Sequence, residues 1–155
     1  MHYKWLVDIV VIPMGLWQMR YLVLAREDPT NQVEGRALRK KTTLAVCKFL
    51  LEDVICWYGC VGKIVADRGE LDANEAKDFF SRIGVKLSHT MAYNLEVNAK
   101  VERGHNPIVK AVAKACDGKM GDGPRLLPYA LWGDRTTHSM TTGYMSAELL
   151  LGKNQ

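Results

Sequence analysis

The sequence predicts an α/β fold in which a mixed five-stranded sheet is flanked by helices. Three observations carry this expectation. Apolar runs at Trp5–Ile12 and Tyr21–Ala25, with a weaker one at Gln32–Leu38, are separated by turn residues. From Thr42 the hydrophobic period lengthens to that of a helix. Two short apolar runs, Lys63–Ala66 and Val85–Leu87, then bracket a second helical stretch.

Each element has its own local reason. Pro13, Met14 and Gly15 stop the first strand, and Asp28, Pro29 and Asn31 form a turn cluster after the second. Three strands joined by short connections predict an antiparallel meander. Leu44, Cys47, Leu51, Val54, Ile55 and Tyr58 recur at helical spacing, with Thr42 or Thr43 as cap and Gly59 as stop. Asn74–Ile83 forms the crossover helix, with Ala76, Phe79 and Phe80 apolar and Gly84 ending it. A crossover helix between two strands predicts that they are parallel. Helices over Leu95–Cys116, Arg125–Trp132 and Ser146–Leu151 complete the reading, with a break expected near Pro107.

Composition narrows the class. The chain has 155 residues, 48% hydrophobic and 25% charged, which suits one globular domain and neither disorder nor a fibrous repeat. Its longest apolar stretch, from Trp5 to Trp17, is interrupted by Asp8 and Pro13, whereas a membrane span needs about 20 apolar residues, so no membrane partner is expected. No secretory leader pattern opens the sequence, and secretion is not expected. Cys47, Cys56, Cys60 and Cys116 form no Cys-x-x-Cys pair and no zinc module, so buried free thiols in a reducing compartment are expected. The net charge of +4 decides nothing unless it is unevenly placed.

Metal-dependent phosphoryl chemistry needs carboxylates converging from separate elements as hard oxygen ligands, and three acids sit where that can happen, although spacing alone is a weak signal. Asp8 lies inside the first strand, Asp67 at the carboxyl end of a buried strand, and Glu102 on the long helix. Each has a structural alternative: a bulge or edge residue for Asp8, a turn residue for Asp67, a solvated face for Glu102. Charge is uneven as well. Arg36, Arg39, Lys40 and Lys41 cluster before the first helix, and Lys100, Arg103, Lys110 and Lys114 form one stripe of the long helix. Such a stripe neutralises DNA phosphates or is an ordinary solvated face. His105 reads as a surface or DNA-facing histidine, Tyr93 as packing or a substrate contact, and Trp57, Tyr58 and Trp132 as core or interface aromatics.

The segments VADRGELDANEAKDFFSRIGVKL and TMAYNLEVNAKVERGH, with KWLVDIV upstream, resemble the catalytic core of retroviral and gypsy-type LTR retrotransposon integrases. Trp5 and Asp8 match the family's first-strand motif, and Asp67, Arg68 and Gly69 its strand-end motif. Tyr93, Asn98, Glu102 and Arg103 match its third, and RLLPYALWGDRTTHSMTTGYMSAELLLG its closing helices. The resemblance implies a ribonuclease H-like fold in a catalytic core without zinc-binding N-terminal or C-terminal modules. It implies Asp8, Asp67 and Glu102 as catalytic residues and ligands of two Mg²⁺ (or Mn²⁺) ions. It also places Asn98, Lys100, Arg103, Lys110 and Lys114 on nucleic acid. The implied function is DNA integration by 3′-end processing and strand transfer, with element and target DNA and further copies of the chain as partners, in the nucleus or otherwise the cytoplasm. Leu95, Ala99 and Ser146 stand where the family has Pro, Gly and Pro. These departures keep open a catalytically degenerate nucleic-acid-binding module on the same fold.

Overall fold

The computed structural model describes residues 3–11, 18–28, 30–59, 61–67, 71, 73–90, 123–137 and 143–145. Strands β1 (Tyr3–Val11), β2 (Tyr21–Glu27) and β3 (Val33–Leu38) form the antiparallel meander. Helix α1 (Thr43–Phe49) runs on through a π-helical segment (Leu50–Ile55) into α2 (Cys56–Tyr58). Strand β4 (Val61–Asp67), helix α3 (Asn74–Arg82) and strand β5 (Lys86–Thr90) follow, and α4 (Gly123–Thr136) is the last described helix. The strand order is β3-β2-β1-β4-β5, with β4 parallel to both β1 and β5. The expected mixed five-stranded sheet and parallel crossover are present. The expected helices over 95–116 and 146–151, and the stop at 13–15, lie outside the described residues.

Two cores sandwich the sheet. On one face Trp5, Val7, Val23, Ala25, Ile64 and Ala66 pack under α1, the π segment and α3. On the other, Leu22 and Leu24 of β2 and Val33 of β3 meet Leu127 and Leu131 of α4. Covered on both sides, β2 is apolar nearly throughout rather than alternating.

Gly35 of β3 makes the close approach of α4 possible. A Cβ there would stand 2.7 Å from Leu24 Cδ2 and 3.3 Å from Leu131 Cδ2. Gly35→Val should therefore cost about 1–3 kcal/mol by overpacking. Urea denaturation checks this; a midpoint equal to the parent's would show that α4 is not seated on β3.

The helix before β4 departs from its expected phase. Thr42 caps it as predicted, its hydroxyl accepting from the Ala45 N–H at 3.2 Å, and Gly59 ends it at φ +71°. Between them the Cys56 N–H donates to the Leu51 carbonyl, five residues back, which widens the turn. The buried residues are Val46, Cys47, Phe49, Leu50 and Val54. Leu44, counted above on the apolar face, is 79% exposed. Cys56 is also exposed, which corrects the expectation of a buried thiol; Cys60 and Cys116 lie outside the described residues. Arg36 leaves the basic cluster: it is half-buried over the Phe49 ring and clamps Asp53 at 2.8 and 3.0 Å and Glu52 at 3.0 Å. That clamp ties β3 to the π segment.

Candidate active site

The aspartates are placed by register. Lys4, Trp5, Leu6 and Val7 of β1 pair with Lys63, Ile64, Val65 and Ala66 of β4. Asp8 and Asp67 each follow one residue later, so their backbones lie side by side on adjacent parallel strands, Asp67 as the last residue of β4 and Asp8 three residues before the end of β1. Here the strand order also reverses, from β1–β2–β3 on one side to β4–β5 on the other. Crevices at such reversal points are where open α/β sheets bind ligands.

Asp8 is half-buried on the face opposite Trp5 and Val7, across from Leu24 of β2. A carboxylate among apolar strand residues costs several kcal/mol unless compensated, roughly. Asp67 is the last residue of β4 and pairs with Thr90 of β5. Asp28, in the turn after β2, lies at the opposite end of β1, where its N–H donates to the Lys4 carbonyl at 2.8 Å. Glu102, Asn98, Lys100, Arg103, Lys110 and Lys114 lie outside the described residues, as do Tyr93 and His105. Two aspartates at neighbouring positions of adjacent strands are hard oxygen donors of the kind Mg²⁺ takes, so the donor chemistry fits a divalent cation.

Sequence reading missed the contacts that hold α4 over this half of the molecule. Arg26 of β2 is 2% exposed and donates to Asp134 at 3.1 and 3.3 Å and to the Asn31 carbonyl at 2.8 Å. The next residue, Arg135, donates to the Val33 carbonyl at 2.8 Å and to Glu34 at 2.6 Å. Glu34 in turn accepts from the Tyr58 hydroxyl at 2.5 Å, and Tyr58 packs on Trp5 with ring centroids 4.9 Å apart. One carboxylate thus joins β3 to both α2 and α4. The available signal was a charged pair, Asp134–Arg135, following the apolar run from Leu126 to Trp132.

Burial pushes the Glu34 carboxyl above its ordinary value, with Asp53 adding to the rise; Tyr58 and Arg135 pull it back. Burial and then Glu34 push the Tyr58 hydroxyl up. A carboxyl raised on folding contributes stability that is full below the ordinary value of 4.5 and is lost as pH rises through its folded value. Glu34→Gln keeps an acceptor for Tyr58 and removes the buried charge. Its melting temperature should therefore improve relative to the parent as pH rises from 4.5 toward neutrality. A difference that stays constant with pH would contradict the assignment.

In fold, the chain belongs with the ribonuclease H-like α/β proteins. It superposes on the catalytic core domain of BIV integrase with a TM-score of 0.78 at 21% identity, covering 96% of this chain and 93% of that one. The HTLV-2 integrase catalytic core, solved with magnesium in a trimeric form, gives 0.77 at 17% identity and 95% coverage of each. In sequence, the chain is 27% identical over 135 residues to the Gag-Pol polyprotein of woolly monkey sarcoma virus, covering 86% of this chain. It spans only 8% of that polyprotein's length. No protein-family model matches the chain. The resemblance to retroviral integrase catalytic cores drawn from the motifs thus holds in fold, beside a sequence similarity to retroviral Gag-Pol polyproteins.

Proposed function

We propose that this chain is the catalytic core of a polynucleotidyl transferase that integrates DNA. The observation that carries the reading is the β1–β4 register, which brings Asp8, inside β1, beside Asp67 at the carboxyl end of the parallel strand β4. Asp8, Asp67 and Glu102 would hold two divalent cations, in keeping with the magnesium of the HTLV-2 core. When bound, such ions activate the attacking oxygen and stabilise the leaving one. The chain's own part is to aim its carboxylates and to hold the phosphodiester, with Asn98, Lys100, Arg103, Lys110 and Lys114 along the strand.

Self-association belongs to the same proposal. Tyr129 and Trp132 stand 71% and 66% exposed on α4, and an apolar groove of about 540 Å³ between α1 and α3 is lined by Leu44, Cys47, Leu51 and Phe79. The trimeric HTLV-2 core supports further copies as partners.

Incubating the chain with Mn²⁺, a labelled duplex and a supercoiled plasmid tests the reaction. The expected result is trimming of the duplex 3′ end and its joining to the plasmid. DNA binding without nicking, at any divalent cation concentration, would overturn the transferase and leave the degenerate binding module.

A further inference from the structure

Across the sheet, three lysines that are far apart in sequence stand in one row. The β1–β4 pairing aligns Lys4 with Lys63, and the β4–β5 pairing aligns Lys63 with Lys86. Cross-strand partners share a face, so the row spans two strand spacings, about 10 Å. Their sequence neighbours fix which face. Trp5, Ile64, Val85 and Leu87 all pack in the core beneath α1 and α3. The lysines therefore project from the opposite face, the one that carries Asp8. Among the described residues, α4 packs on the β2–β3 half of that face.

The row is electrostatically costly. Like charges directly opposite on neighbouring strands destabilise a sheet. Asp28 offsets Lys4 at 3.6 Å, and among the described residues no carboxylate pairs with Lys63 or Lys86. Lys86 is exposed and Lys63 half-buried, so both ammonium groups are within reach of a ligand. An anion of repeating charge laid along the row would relieve the repulsion. DNA has that form, with one phosphate per 3.4 Å of axial rise on each strand.

We infer that Lys4, Lys63 and Lys86 form a phosphate-backbone contact for the DNA strand bound at the aspartate site. The row lies four residues along the strands from position 8, about 13 Å away. This inference rests on the nucleic-acid reading of that site, and it adds a second point that fixes the direction of the strand across the sheet.

The test uses the full chain and a fluorescein-labelled duplex, with affinity measured over a range of salt. The double variant Lys63→Gln/Lys86→Gln is compared with a charge-matched control on the opposite face, Lys48→Gln/Lys77→Gln. The row variant should lower the salt slope by roughly two, one per lost phosphate contact, and the control should not. Without DNA at low salt, Lys63→Gln should raise the melting temperature by about 2 °C, because a repulsion is removed. That gain should vanish at 1 M salt, where the screening length is only about 3 Å. Equal slopes in both variants, or a fall in melting temperature, would overturn the row while leaving the aspartate site to its own test by nicking. A parent chain that binds no duplex overturns both. Competition by polyglutamate as effective as that by DNA would also overturn the inference, in favour of an acidic polypeptide partner.

Discussion

Mg²⁺ or Mn²⁺ at a hundredfold excess over its dissociation constant should raise the melting temperature of this chain by about 5–10 °C, and Asp67→Asn should erase the rise. A ligand bound only by the folded state stabilises by RT ln(1 + [L]/Kd), about 2.7 kcal/mol at that excess. In a chain of this size each kcal/mol moves the midpoint by roughly 2–4 °C. The folded state alone brings Asp8 and Asp67 to neighbouring positions on adjacent strands, through the β1–β4 register. The neutral amide of the variant keeps the shape and loses the charge that holds the cation. Nicking of duplex DNA should disappear with it. Retention of the full metal response by Asp67→Asn would place the cation elsewhere.

The second large effect is structural. Asp134→Ala should destabilise the chain by about 3 kcal/mol, because a guanidinium buried to 2% exposure loses its carboxylate. The midpoint should fall by about 8 °C. Arg135→Ala should cost less, since its pair with Glu34 is 25% and 18% exposed and Tyr58 still donates to that carboxylate. Equal losses in the two variants would show that α4 is held by its apolar face, Leu127 and Leu131, rather than by the Arg26 clamp.

Those clamps mark the limit of what the sequence makes legible. Strand positions were readable because Val, Ile and Leu cluster between turn residues, and the cap at Thr42 because a hydroxyl before an apolar helix has one use there. Asp8 was readable because a charge inside an apolar strand demands compensation. The π segment was not, because one widened turn shifts the buried face to Val46, Leu50 and Val54 without a signature residue. Arg36 looked like part of a basic cluster until Glu52 and Asp53 were brought against it from the next element. Nor does any local pattern align Lys4, Lys63 and Lys86, because register between strands distant in the chain is set by the whole sheet.

In the proposed site Asp8 and Asp67 hold one divalent cation between them. Anomalous diffraction from crystals soaked in Mn²⁺ tests it most directly. The expected peak lies beside the carboxyl end of β4, within about 2–2.5 Å of oxygens from both aspartates. A peak that touches only one of them, or none at that end of the sheet in crystals that bind Mn²⁺ elsewhere, would contradict it.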